Sequence, residues 1–163
     1  MKKIALLSDT HSYIDDKIID FIKSVDEIWH AGDIGNMEVL EQLKRIKPTR
    51  AVYGNIDGFE LRNELAESLL FDCENVKVFI THIGGYPKKY AKGIKAILRE
   101  LKPQLFIAGH SHILKVMYDK ELELLYMNPG AAGKSGFHKV RTALRFTVEN
   151  DKIRDLEILE LKR

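Results

Sequence analysis

The chain has 163 residues, a single cysteine and a formal net charge of +2. That length can bury a proper core without disulfides or a structural metal. One cysteine excludes an internal disulfide or a thiolate zinc knuckle, and so small a charge argues against a dedicated nucleic-acid surface.

Apolar residues make up 45% and charged residues 31%, ordinary globular values that exclude a disordered chain. Lysines and glutamates alternate along the helical stretches, as on a solvated face. Lys2 and Lys3 are followed by only four apolar residues, Ile4 to Leu7, too few for a signal-peptide core or a membrane span. The expectation is a cytoplasmic protein, one domain over residues 1–163, with no membrane partner.

The elements follow in chain order. Lys3–Ser8 reads as a buried strand that runs into Asp9-Thr10-His11. Ile14, Ile18, Ile19, Ile22 and Val25 recur at helical spacing. Glu27–His30 reads as a second strand ending in Gly32-Asp33; Asn36 then caps a helix that buries Val39, Leu40, Leu43 and Ile46 and stops before Pro48. Arg50–Tyr53 is a third strand, ending in Gly54-Asn55. This β-α-β-α-β alternation predicts a parallel sheet with crossover helices.

Beyond it, Leu61–Asp72 and Val76–Thr81 read as strands joined by a tight turn at Asp72-Cys73-Glu74-Asn75, with Cys73 a small apolar residue in or near a strand. A helix from Lys89 to Leu101 stops at Pro103, and Leu105–Ala108 is a buried strand ending in Gly109-His110. Ile113–Asp119, Leu122–Met127, Arg141–Val148 and Lys152–Leu161 are all strand-like. So much late β-structure exceeds one doubly wound sheet and predicts two sheets face to face with helices outside.

Polar groups recur at one kind of place. Asp9 and His11, Asp33, Asn55, His82, and His110 with His112 each fall just after an apolar strand. The carboxyl ends of strands in α/β sheets converge on one edge, where ligands bind. Gly32, Gly54 and Gly109 precede three of these groups and permit the close backbone paths of a crowded site. Taken singly, each residue has a plainer explanation: a helix cap or turn for Asp9, Asp33 and Asn55, a satisfied buried imidazole for His82. Their ordered recurrence is what the plain explanations fail to cover. His30 reads as a core or supporting residue, and His138 has no assigned role.

Carboxylate, imidazole and amide oxygen without thiolate suit manganese, iron, zinc or nickel. Seven groups exceed the needs of one tetrahedral ion. With one carboxylate shared, two ions about 3.5–4 Å apart can clamp an in-line displacement at phosphorus and acidify a bound water.

Asp9-Thr10-His11, Gly32-Asp33, Gly54-Asn55-Ile56-Asp57, Thr81-His82 and Gly109-His110-Ser111-His112 resemble the ordered motifs of the calcineurin-like metallophosphoesterases. The length and Asn128-Pro129-Gly130 resemble the small single-domain phosphodiesterase branch of bacteria and archaea. The resemblance implies a four-layer α/β/β/α sandwich of two mixed sheets flanked by helices, and two divalent cations, manganese foremost. It implies that Asp9, His11 and His112 hold one metal, that Asn55, His82 and His110 hold the other, and that Asp33 bridges them. Asp33, Asn55 and His82 would then be the residues nearest the chemistry, in which a water or hydroxide between the ions attacks phosphorus.

One position departs from the motif. Many relatives have histidine directly after the asparagine, where it protonates the leaving oxygen; here it is Ile56. The implied substrate is therefore a small phosphodiester with a good leaving group, and a rate factor of about 10²–10⁴ is missing for poor ones. The same fold also resembles the scaffold subunit of the retromer coat, a protein-binding platform. The complete set of seven groups favours the enzyme. A larger exonuclease relative would need DNA-gripping insertions for which 163 residues leave little room. Phe59, Tyr86 and Phe137 are candidates for lining the cleft, and a homo-oligomer is compatible with the chain.

Overall fold

The computed structural model describes residues 1–163. In chain order the elements are β1 (Lys2–Leu7), α1 (Asp16–Ile22), β2 (Glu27–His30), α2 (Met37–Ile46), β3 (Thr49–Ala51), α3 (Phe59–Glu64), β4 (Ser68–Cys73), β5 (Val76–Thr81), β6 (Gly85–Tyr86), β7 (Lys89–Tyr90), α4 (Ile94–Leu101), β8 (Leu105–Ile107), β9 (Leu114–Asp119), β10 (Leu124–Pro129), β11 (Val140–Glu149) and β12 (Lys152–Lys162). One five-stranded sheet has the order β12-β11-β1-β2-β3, the other β4-β5-β8-β10-β9, and β6 and β7 form a small ribbon. Strands β1, β2 and β3 are parallel, as are β5, β8 and β10. The outer strands of both sheets pair antiparallel.

The apolar pattern of each central strand divides between two interfaces, because successive side chains leave opposite faces of a sheet. Ile4 and Leu6 of β1 face the second sheet and meet Val78, Ile80, Leu105 and Ile107. Ala5 and Leu7 face the other way, onto Ile18 and Ile22 of α1 and Leu40 and Leu43 of α2. Phe79 and Phe106, on the outer face of the second sheet, pack under Ile94 and Leu98 of α4. Three apolar interfaces thus separate four layers, the α/β/β/α sandwich expected from the sequence. A strand buried on both faces needs no polar alternation, which is why Ile4–Leu7 reads as a continuous apolar run.

Helix boundaries follow local chemistry. Asp15 Oδ1 accepts from Ile18 N at 3.1 Å and caps α1; Asn36 Oδ1 accepts from Val39 N at 3.0 Å and caps α2. Cys73 ends β4 in the inter-sheet core.

Two segments differ from expectation. Leu61–Asp72 is not one strand: Phe59–Glu64 is α3, and β4 begins only at Ser68. Leu61 and Leu65 sit at helical i, i+4 spacing over the helix-side core, and Arg62 reaches back to the carbonyls of Gly54, Asn55 and Asp57, closing the turn. The helix expected over Lys89–Leu101 begins at Ile94, because Gly93 at φ 83° interrupts it. Lys89–Tyr90 instead pairs with β6, and Tyr90 donates to Asp119 Oδ2 at 2.5 Å. No helix is long and apolar enough to cross a membrane.

Candidate metal centre

The six parallel strands bring their carboxyl ends to one edge of the sandwich. Asp9 and His11 follow β1, Asp33 follows β2, Asn55 follows β3, His82 follows β5, and His110 and His112 follow β8. Backbone pairing continues past the strands, from Asp9 N to Gly32 O at 2.9 Å, His11 N to Asp33 O at 3.0 Å and Gly109 N to His82 O at 3.0 Å. Backbone hydrogen bonds thereby tie the loops to one another.

All seven residues singled out in the sequence meet here, in two adjoining groups. Asp9, His11 and His112 present ligand atoms within 4.8 Å of one another, and so do Asp33, His82 and His110. Asn55 Oδ1 joins the second group, 3.0 Å from His110 Nδ1. Asp33 Oδ2 lies between the groups, 3.5 Å from His11 Nε2 and 3.1 Å from His82 Nε2.

The donors fit divalent cations. Ligands about 2.0–2.2 Å from one ion stand about 3–3.6 Å apart. His112 Nε2 to Asp9 Oδ1 is 3.2 Å, and His11 Nε2 to the same oxygen is 3.6 Å. Asp9 Oδ1, His11 Nε2 and His82 Nε2 are buried without a hydrogen-bond partner. Orphaned polar atoms are costly, and these three, spread over the two groups, are what bound cations would satisfy.

The charges agree. Burial opposes ionisation of Asp9, but His11, His112 and Ser8 hold its carboxyl well below the usual carboxylate range. Burial likewise opposes charge on Asp33, and His82 pulls it down. The neighbouring Asp9 carboxylate draws His11 upward against its burial; His82, despite deeper burial, is drawn upward by Asp33. The carboxylates stabilise positive charge at this point.

Surrounding groups fix which atoms face the centre. Asp9 Oδ2 accepts from Ser8 Oγ at 2.6 Å and His110 N at 3.1 Å, leaving Oδ1 to the site. Asp33 Oδ1 accepts from Ile56 N at 3.0 Å, leaving Oδ2. His82 Nδ1 donates to Ala31 O at 2.7 Å, so Nε2 keeps its lone pair. His138 Nε2 donates to Gly133 O at 2.8 Å; its Nδ1 therefore accepts from His112 Nδ1 at 3.1 Å, and His112 also presents a free Nε2.

Asp9, His11, Asp33, His110 and His112 all have positive φ, from 45° to 71°. Non-glycine residues rarely adopt this conformation, and its concentration marks a site that the surroundings over-determine. Gly54 and Gly109 are required for close approach: a Cβ on Gly54 would stand 2.1 Å from Asp33 Oδ1, and one on Gly109 2.1 Å from Ser8 Oγ.

Supporting residues surround the centre: the sequence anticipates a core or supporting role for His30, but assigns none to Asp57 or Asn128. Asp57 accepts from Gly54 N, Ile34 N and Gly35 N at 2.8–3.1 Å, binding the Asn55 loop to the Asp33 loop. Buried His30 accepts from Gly32 N at 3.1 Å and contacts Thr10 Oγ1 at 3.0 Å, which donates to Ile34 O. Asn128 donates to Gly109 O at 3.0 Å and Ser111 Oγ at 3.1 Å, steadying the His110 loop. Asp57 and the Asn128-Pro129-Gly130 triplet carried only the local signal of turn formers. Of the three aromatic candidates, Phe137 lines a cleft with His110 and His112, Tyr86 lines the neighbouring hollow, and Phe59 sits in a separate depression with Gly35 and Met37.

Comparison with known proteins identifies the family and the fold. The model of the calcineurin-like phosphoesterase superfamily domain matches residues 1–151. A probable metallophosphoesterase of Methanothermobacter thermautotrophicus is 31% identical over 134 residues, covering 78% of this chain and 76% of the relative. Among solved structures, wild-type Vps29 of Entamoeba histolytica complexed with zinc superposes with a TM-score of 0.76 at 16% identity, covering 98% of each chain. A structure described as a novel archaeal phosphodiesterase gives a TM-score of 0.71 at 21% identity, covering 96% of this chain and 99% of the other.

Proposed function

Since the chain belongs to the calcineurin-like phosphoesterase superfamily, we propose that it is a two-metal phosphodiesterase for small phosphodiesters. The observation that carries the reading is the pair of adjoining donor groups, three of whose buried atoms have no hydrogen-bond partner. Asp9, His11 and His112 would hold one cation and Asn55, His82 and His110 the other, with Asp33 shared. Manganese leads the candidates, with iron, zinc or nickel also suited to the donors. Bound there, such cations neutralise phosphate oxygens and activate water for attack on phosphorus.

The chain's own contribution is preorganisation. Ser8, the His110 N–H and the Ile56 N–H hold the two carboxylates in place before substrate arrives. Ile56 therefore keeps a backbone role, while its half-exposed side chain can neither donate a proton nor bind a phosphate oxygen. This supports diesters with activated leaving groups over alkyl monoesters. The archaeal phosphodiesterase among the structural relatives is in keeping with that preference.

The test is hydrolysis of bis(4-nitrophenyl) phosphate and of an alkyl monoester by protein reloaded with each metal in turn. Metal-dependent turnover of the diester and weak turnover of the monoester are expected; full activity after verified metal removal would refute the reading. Ile56→His should raise kcat/KM for esters with poor leaving groups by more than for aryl esters, since only the former need a proton in the transition state. Equal gains would mean that Ile56 does not limit leaving-group departure.

The near-complete superposition on Vps29 supports a second reading, a protein-binding platform on the same fold. A platform needs no complete donor set, and all seven groups are present here. Absence of phosphoester hydrolysis with every metal, together with retained folding, would favour the platform.

A further inference from the structure

Any phosphate seated against Asp9 and His112 carries its ester groups about one bond from phosphorus, so the walls beside those residues select the ester group. On the His112 side the wall is a cleft formed by His110, Ser111, His112, Ile113, Phe137 and His138. Two large apolar side chains face it from solvent: Phe137 is fully exposed and Ile113 is 63% exposed. Paired on the wall of a cleft beside the donor groups, they offer the apolar part of a ligand a surface to pack on.

Phe137 is not on a loose loop. Gly136 packs against His112 so closely that a Cβ there would stand 2.4 Å from His112 Nδ1. His138 is anchored on Gly133 O and meets the His112 ring edge-on, with centroids 5.0 Å apart. Arg163 donates to the carbonyls of Gly136 and His138, clamping the segment from the other side. The backbone on both sides of Phe137 is thus fixed against His112, while its ring is left bare.

We propose that Phe137 and Ile113 form a subsite for a flat ring carried by the substrate's ester group, an aryl ring or a nucleobase, stacked on Phe137. The assignment rests on the phosphodiesterase reading and adds the class of ester group. No carboxylate lines this cleft to repel an anionic substrate, and no Lys or Arg lines it to favour a polyanion. A planar ring is the group such walls recognise, and ring stacking on an aromatic side chain is worth about tenfold or more in affinity.

The experiment measures competitive inhibition of bis(4-nitrophenyl) phosphate hydrolysis by methylphosphonate, phenylphosphonate and adenosine 5′-monophosphate, using the metal-loaded full chain. A single ring per inhibitor avoids any question of which ester arm departs. A ring-bearing inhibitor is expected to bind about tenfold more tightly than methylphosphonate, and Phe137→Ala should largely close that gap. Whichever ring compound shows the gap identifies the source, aryl or nucleobase. Phe59→Ala, which removes an exposed aromatic ring outside this cleft, should preserve it. A gap that is missing in the parent, survives Phe137→Ala or is lost equally in Phe59→Ala overturns the subsite alone. No diester hydrolysis by the parent overturns the phosphodiesterase reading, and the subsite with it.

Discussion

Asp33 Oδ2 lies within 3.5 Å of imidazoles from both donor groups, whereas His112 belongs to one group only. Asp33→Asn should therefore lower the occupancy of both metals, and His112→Ala chiefly that of one. Titration calorimetry decides: if Asp33→Asn binds two metals as tightly as the parent, the shared role is wrong. His30 gives a pH prediction. Complete burial pushes its pKa down to about 4 from an ordinary value near 6.5. The unfolded state then binds the extra proton, so this contribution is whole above about pH 6.5 and is lost as pH falls toward 4. Between pH 7 and 5 that loss is about 2 kcal/mol. In metal-free protein, His30→Gln should lose less stability than the parent over this interval by about that amount, as read from urea unfolding; identical pH profiles would contradict it.

At the scale of elements, the two sheets are covered unequally. The first carries α1 and α2 on its outer face, and the second relies on α4, with Ile94 and Leu98 over Phe79 and Phe106. Leu98 is almost fully buried. Leu98→Ala should cost about 2–5 kcal/mol through lost burial and the cavity left behind. Metal binding by the folded protein should survive, because no candidate ligand lies in that interface. Denaturant midpoints and metal titration separate the two effects; a loss under 1 kcal/mol would show that the sheet closes over the gap. The same scale explains the misread segments. Leu61 and Leu65 at i, i+4 and the break at Gly93 were local signals, but alternation around Leu69 and Phe71 and the helical run after Lys89 outweighed them.

For the whole molecule, the donors come from both sheets: Asp9, His11, Asp33 and Asn55 from loops of the first, His82, His110 and His112 from loops of the second. Bound metal would therefore hold the two sheets together as well as serve chemistry. Metal at a hundred times its dissociation constant adds about 2.7 kcal/mol per site, or about 5–10 °C in Tm at this chain length. Calorimetry with manganese against a chelator should show that rise, and it should shrink in Asp9→Asn. Unchanged Tm with manganese, zinc and nickel at saturation would argue against a metal bridging the sheets.

The sequence by itself pointed to two facing sheets, the central strands and the seven residues that the fold brings to one edge. Each of these is written locally, as an apolar run followed by a ligand-type residue, and strand polarity then forces convergence. It also carried Ile56 as the departure from the motif. The tertiary structure alone decided that Asp33 Oδ2 sits between the donor groups, that His138 orients His112, and that Asp57 and His30 bind loops from different strands. It likewise placed Phe137, of three aromatic candidates, in a cleft with His110 and His112. Such pairings join residues 20 to 49 positions apart, and no local periodicity encodes them. They exist only once the packing of two sheets has fixed which loop ends meet.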